Sequence, residues 1–215
     1  MHRDIRGLYV IIDPDACRGR DAVEVARLAL EGGASMVQWR DKRREKGDQI
    51  PQARAVRTLC AEHNALFILN DHVDLALAVE ADGVHLGPHD LPVDAVRRFV
   101  PEGFAIGAST NNADEARRAQ AAGASYVAIG SVFPTSSKEP GRTRAASIDR
   151  VREVKLAVAV PVVAIGGINA SNVDQVIEAG ADAVAVISAV CGADDPRAAA
   201  RELAQRFEAR RFPRT

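Results

Sequence analysis

The chain has 215 residues, 47% apolar and 27% charged, with a formal net charge of −1. That length holds one domain with a full core, and so small a net charge gives no field that would select nucleic acid or an anionic membrane surface. Aromatic residues make up 4% of the chain, too few for a base-stacking surface, and no apolar run reaches membrane-spanning length.

The opening MHRDIRGLYV mixes charges of both signs and has no apolar core of a secretory signal, nor the Arg/Ser-rich character of a transit peptide. Cys17, Cys60 and Cys191 are odd in number, widely spaced and without a C-x-x-C. Together these features predict a reduced, cytoplasmic protein. The closing RRFPRT reads as a short solvated tail.

Short apolar runs alternate with amphipathic helical patterns. The predicted strands are LYVIID (8–13), SMVQWR (35–40), ALFIL (65–69), DGVHLG (82–87), GFAIG (103–107), SYVAIG (125–130), PVVAIG (161–166) and DAVAVI (182–187). Near-continuous Val, Ile, Leu and Ala suit parallel strands covered on both faces. The helix over 21–33 stops at Gly-Gly; Asn112 starts another, with Glu115 at capping-box spacing; Ser171 is expected to cap a third. The phrases EGGAS, AAGAS and EAGAD recur before strands two, six and eight, a repeated glycine stop that feeds the next strand. Eight such units predict a single (β/α)8 TIM barrel over 1–215. An open doubly wound sheet is the rival, but IIDPDACRGRD after strand one has no glycine-rich phosphate fingerprint.

Barrel chemistry lies at the C-terminal strand ends. Strand two ends in QWRDK, and alternation points Gln38, Arg40 and Lys42 to one side, with Trp39 and Asp41 on the other. Two cations and an amide suit a polyanion such as a diphosphate, although an exposed charged loop would read the same. Strands three and four lead to Asn70, Asp71 and Asp90. Two carboxylates at neighbouring strand ends can share a magnesium ion with water and phosphate oxygens; alternatively each caps a helix. Asp74 is expected to stay with its helix.

Strand five brings Ser109 and Thr110. Strand six opens into SVFPTSSKEPGRT, a connection too long and irregular for a plain strand-to-helix turn, carrying Thr135, Ser136, Ser137 and Lys138. Strand seven ends in Gly166-Gly167 and strand eight in Ile187-Ser188, the two positions where such barrels bind phosphate. Glycines there let backbone N–H groups approach phosphate oxygens. His85 is expected inside the barrel as a hydrogen-bonded residue; a zinc cluster with His89 and Asp90 is the alternative. His2 and His63 read as surface residues, and the GAST segment lacks the final glycine of a hydrolase elbow. The layout suits an enzyme that joins a phosphorylated acceptor to a diphosphate-activated donor, with charge neutralisation as its main device.

QWRDK, NDHVDLAL, GVHLGPHDLP, GAST, YVAIGSVFPTSSK, VVAIGGI and ADAVAVISA, in this order, closely resemble the thiamine-phosphate synthase family over nearly the whole chain. The resemblance implies small-molecule substrates. A hydroxymethylpyrimidine diphosphate would lose pyrophosphate and a (carboxy)thiazole phosphate nitrogen would take the freed methylene, by a dissociative route assisted by magnesium. It implies that Gln38, Arg40, Lys42, Asn70, Ser109 and Lys138 hold the pyrimidine diphosphate, with Arg40, Lys42, Ser109 and Lys138 catalytic. Asp71 and Asp90 would hold the metal. Thr135, Ser136, Ser137, Gly167, Ile187 and Ser188 would hold the thiazole phosphate. Three positions depart from the family pattern: Asn111 where a histidine is common, His72, and Trp39 for a common leucine. A thiazole tautomerase, which binds the thiazole phosphate alone, and a non-catalytic phosphate-ligand sensor remain as alternatives. A homo-oligomer is possible, because barrel flanks and interfaces look alike in sequence.

Overall fold

The computed structural model describes residues 4–135 and 147–211. Its strands are β1 (Gly7–Ile12), β2 (Met36–Trp39), β3 (Leu66–Asn70), β4 (Gly83–Leu86), β5 (Ala105–Thr110), β6 (Tyr126–Gly130), β7 (Val162–Ile165) and β8 (Ala183–Val186). They close in sequence order into a parallel barrel. The seam is a β1–β8 pairing that sets Tyr9 against Ala185. The predicted fold class holds, and strand limits move by a residue or two at the ends. The largest change is β5, which runs on through Ser109 and Thr110.

The helices are α1 (Ala22–Glu31), α2 (Lys46–Glu62), α3 (Val73–Ala78), α4 (Val93–Arg97), α5 (Ala113–Ala121), α6 (Ile148–Ala157), α7 (Val173–Glu178), α8 (Ser188–Cys191) and α9 (Pro196–Arg211). None among the described residues is long and apolar enough to cross a membrane.

Period-two alternation divides the strands into two packed layers. Leu8, Val10, Val37, Phe67, Leu69, Ile106, Val127 and Val184 face outward and are buried against the helices. Tyr9, Ile11, Met36, Ile68, Tyr126, Val163 and Ala185 face inward and fill the barrel. Gly107 shares the inner parity of Ala105, and it is a glycine because Tyr126 occupies the space a side chain would need: a Cβ there would lie 2.1 Å from Tyr126 Cζ.

The recurring glycine phrases do what their sequence predicts. Gly33, Gly123 and Gly180, just past α1, α5 and α7, take φ of 100°, 98° and 96°, a left-handed conformation that only glycine adopts freely. Asn112 Oδ1 accepts the Glu115 N–H at 2.9 Å, as expected of a cap. The Glu115 carboxylate reaches back to the Asn111 N–H at 2.8 Å, one residue beyond the Asn112 N–H that a full capping box uses. The expectation for Ser171 fails: α7 starts after Asn172, and Ser171 Oγ donates instead to Asn169 Oδ1 at 2.6 Å. Asn169 offers an acceptor two residues back, so the hydroxyl closes a local turn in place of capping the helix.

Candidate active site

β2 delivers its side chains as alternation requires. Trp39 is buried outward, and its Nε1 donates to Gln49 Oε1 at 3.2 Å. Gln49 in turn donates to the carbonyls of Arg44 and Asp41, at 2.8 and 3.3 Å. Asp41 Oδ1 accepts the N–H groups of Arg43 and Arg44 at 2.9 and 3.1 Å. The loop that carries Lys42 is thus tied from beneath by residues pointing away from the site. Gln38 and Arg40 face inward.

Arg40 pairs with Asp13, a residue the sequence reading passed over. Asp13 follows β1 directly and also accepts the Asp15 N–H at 3.1 Å, which begins a short 3-10 turn. The signal was available: position 13 shares the parity of Tyr9 and Ile11, so the rule that placed Arg40 inward also places Asp13 there.

Asp71 and Asp90 cap no helix. α3 begins after His72 and α4 after Pro92, with no side-chain cap on either. Asp71 sits in the left-handed region at φ 61°, which aspartate tolerates better than most residues, and its N–H donates to the His85 carbonyl at 2.9 Å. Its carboxylate pairs with Lys42 and neighbours the Asp90 carboxylate. Asp90 Oδ2 also accepts the Gly87 N–H at 2.7 Å. Burial pushes the Asp71 carboxyl up, but the hydrogen bonds with Lys42 and Asp90 and the Lys42 charge outweigh it and hold the group below the usual carboxylate range. Burial raises Asp90, and the Asp71 carboxylate raises it further, against the Gly87 hydrogen bond.

Two carboxylates crowded together beside one ammonium form an oxygen-donor pair with surplus negative charge. That fits a magnesium ion, which takes one or two carboxylates and completes its shell with water and phosphate oxygens. Among the described residues no group of three or more His, Cys, Asp or Glu converges on a metal-sized site. The zinc alternative also fails on geometry, since His85 commits Nδ1 to Tyr126 Oη at 3.1 Å and Nε2 to Ser109 Oγ at 2.9 Å. Asp74 pairs with Lys46 at 2.8 Å on the exterior.

Two cavities open at this rim. One of about 100 Å³ is lined by Gln38, Arg40, Asn70, His85 and Ser109 over a floor that includes Tyr9. The other, of about 360 Å³, is lined by Thr135, Gly166, Gly167, Ile187 and Ser188. Ile165, Ala185 and Ile187 line both, so an apolar seam separates them. Gly167 has φ 65°, and a Cβ there would meet the Pro134 carbonyl oxygen at 2.5 Å, so only glycine lets the loop after β6 pack this closely at the cavity wall. Ser188 opens α8, where the first N–H groups have no acceptor within the helix.

The structure therefore gathers Gln38, Arg40, Asn70 and Ser109 in one cavity, Thr135, Gly167, Ile187 and Ser188 in the other, and Lys42, Asp71 and Asp90 in one contact cluster. Ser136, Ser137 and Lys138 lie outside the described residues. Asn111, at the position where the resembled family often has histidine, turns to Glu115, with Nδ2 to Oε2 at 2.9 Å.

Comparisons with known proteins agree with this geometry. The family model for thiamine monophosphate synthase matches residues 8–190. The thiamine-phosphate synthase of Methanoculleus marisnigri is 51% identical over 205 residues, covering 94% of this chain and 95% of the relative. That of Pyrococcus abyssi is 45% identical over 201 residues, covering 94% of each. Among solved structures, thiamine phosphate pyrophosphorylase from Pyrococcus furiosus superposes with a TM-score of 0.87 at 42% identity, covering 96% of this chain and 97% of that one. A 3-hexulose-6-phosphate synthase, at 20% identity and a TM-score of 0.70, shares the fold. With matches of this length and identity over the strand ends that build both cavities, the chain belongs to the thiamine monophosphate synthase family.

Proposed function

We propose that this chain joins a hydroxymethylpyrimidine diphosphate to a thiazole phosphate, giving thiamine phosphate and pyrophosphate, by managing charge at the barrel rim. The observation that carries the proposal is the Lys42–Asp71 pair with its carboxylate neighbour Asp90, together with Arg40 in the smaller of two cavities that share the Ile165–Ala185–Ile187 wall. In this reading Gln38, Asn70 and Ser109 orient the pyrimidine, Arg40 and Lys42 face its diphosphate, and Asp71 and Asp90 hold magnesium. Thr135, Gly167, Ile187 and Ser188 receive the thiazole phosphate. Lys138, Ser136 and Ser137 join these sets on the strength of the sequence resemblance.

The bond between the pyrimidine methylene and the diphosphate oxygen breaks, and its electron pair leaves on the diphosphate. The thiazole ring nitrogen supplies the pair for the new C–N bond, so the step needs no proton transfer. A bound magnesium ion supplies neutralisation of the diphosphate charge. Arg40 and Lys42, fixed before the reaction by Asp13 and Asp71, supply preorganised positive charge at the place where negative charge develops. The shared wall of Ile165, Ala185 and Ile187 keeps water from the methylene as it passes between donor and acceptor.

The test is pyrophosphate release from the pyrimidine diphosphate, with thiazole phosphate and magnesium each present or omitted. Release that requires both supports the reading. Binding of both ligands without release would point to a sensor, and isomerisation of the thiazole phosphate alone to a tautomerase; either result overturns it.

A further inference from the structure

One side chain ties the loop between β1 and α1 to the segment after β8. Arg20 Nε donates to the Cys17 carbonyl at 3.1 Å, within the loop itself. Its Nη2 donates to the Cys191 carbonyl at 2.7 Å, and its Nη1 to the carbonyls of Ala193 at 2.7 Å and Asp194 at 3.4 Å. Among the described residues no carboxylate pairs with Arg20, so the whole fork goes to backbone. A guanidinium can hold acceptors this far apart because its N–H groups diverge in one plane.

The segment it holds is α8. Ser188–Cys191 makes a single helical turn, and one turn does not keep its own direction in water, because fixing the first residues costs more than the first hydrogen bond gains. The turn is closed by the Cys191 N–H on the Ile187 carbonyl at 2.8 Å and the Gly192 N–H on the Ser188 carbonyl at 3.0 Å. The carbonyls at its C-terminal end have no donor within the helix, and Arg20 supplies one. Two other ties are weaker. The Cys191 thiol donates to the Ile11 carbonyl at 3.3 Å, past the last β1–β8 pair of Val10 with Val186, and a thiol is a poor donor. The Arg18–Asp194 ion pair at 3.3 Å is exposed and contributes little. The N-terminal end of α8 faces the larger cavity, which Ile187, Ser188 and Ala189 line. At helical rise the two ends of α8 are only about 6 Å apart, so a shift at Cys191 is felt at Ser188.

We propose that Arg20 is a positioning residue: by fixing the C-terminal end of α8 against the β1 loop, it sets where Ile187 and Ser188 stand in the wall of the larger cavity, and so how tightly that cavity takes its phosphorylated substrate. Arg20 lines neither of the two rim cavities, so it acts through α8 and not by contact. The inference rests on the reading above that the larger cavity receives the thiazole phosphate. The smaller cavity should not feel its loss. Asp13, the partner of Arg40, lies in a turn closed by its own bonds, with the Ala16 N–H on the Asp13 carbonyl at 2.9 Å and the Asp15 N–H on its carboxylate at 3.1 Å.

Two measurements test it. The first compares Arg20→Met and Arg20→Lys with the parent by initial-rate kinetics in each substrate. Arg20→Met is expected to raise KM for the thiazole phosphate about tenfold or more, the scale of one or two charge-assisted hydrogen bonds. KM for the pyrimidine diphosphate and inhibition by inorganic pyrophosphate should stay near the parent values. Arg20→Lys keeps the charge and loses the fork, so it should resemble Arg20→Met, and it carries the comparison alone if the methionine variant does not fold. A general loosening of the fold would move both substrates together; that result, or a lysine that restores the parent KM, overturns the proposal. The second measurement needs no turnover. In amide hydrogen exchange by NMR, the Cys191 and Gly192 N–H groups of the variants should exchange about tenfold or more faster than in the parent, with the amides of β8 unchanged. Parent-like exchange in α8 overturns the proposal. A parent that does not join the two substrates would refute the synthase reading instead, and the exchange rates would still decide whether Arg20 holds α8.

Discussion

Gly107→Ala changes the protein by one methyl group, at the point where the barrel interior has least room. The new Cβ would sit 2.1 Å from Tyr126 Cζ and 2.5 Å from His85 Nδ1, distances no relaxed contact permits. Tyr126 is fully buried with Tyr9 edge-on beside it and His85 stacked against its ring, so its phenol has no open space to move into. Overpacking of this kind costs about 1–3 kcal/mol. The displaced phenol also loses its hydrogen bonds to Tyr9 and His85, at about 1 kcal/mol each. The expected loss is therefore about 3–5 kcal/mol, which lowers Tm by roughly 6–20 °C in a domain of this size. Thermal and urea unfolding followed by circular dichroism measure it. Adding Tyr126→Ala in the Gly107→Ala background should cost far less than Tyr126→Ala alone, because the clash and the cavity cancel. A single variant within about 2 °C of the parent, or a pair of changes that simply add, would refute the packing argument.

Other predictions follow from the carboxylate pair and the rim. Asp90→Asn should stabilise the metal-free protein at neutral pH by under about 1 kcal/mol, because the group is partly exposed. The raised Asp90 pKa marks a charge penalty that is absent below the unfolded value of 3.8 and complete above the folded one, so the gain should vanish in acid. Asp71→Asn has the opposite sign: its depressed pKa marks stability present above 3.8 and lost as pH falls through the folded value, so this variant should be weaker at neutral pH and converge with the parent in acid. Both variants should need more magnesium for half-maximal turnover, and metal titrations that overlay the parent's would remove them as ligands. Lys138→Ala should lower kcat by roughly 10²–10³, as loss of a transition-state donor does; an unchanged kcat removes it from the chemistry. Ser188→Asp should raise KM for the thiazole phosphate by charge repulsion and leave the pyrimidine diphosphate nearly unaffected, which initial-rate kinetics with each substrate varied in turn will show.

The barrel was legible because each unit carries its own local signals. Apolar runs of strand length, helices with one apolar face and glycines past their ends need no knowledge of distant residues. Strand-end chemistry was legible for the same reason: parity along β2 sends Gln38 and Arg40 inward and Trp39 outward, and the structure agrees. Local reading erred where a neighbour in the same loop competes. Ser171 has the right chemistry for a cap, yet Asn169 takes its hydroxyl. Asp71 and Asp90 both read as possible caps, and only the positions of α3 and α4 release them to face each other.

By itself, then, the sequence determined the repeated strand–helix unit, the residues that stand at the strand ends, and the charge available there, because backbone periodicity and glycine stops act over a few residues. The tertiary structure alone decided which of those side chains pair: Arg40 with Asp13, Lys42 with Asp71, and Tyr9 with Tyr126, 117 positions away. Closing the sheet brings β1 beside β8 and sets the inner side chains of strands remote in sequence within hydrogen-bond reach, a distance that no local pattern encodes.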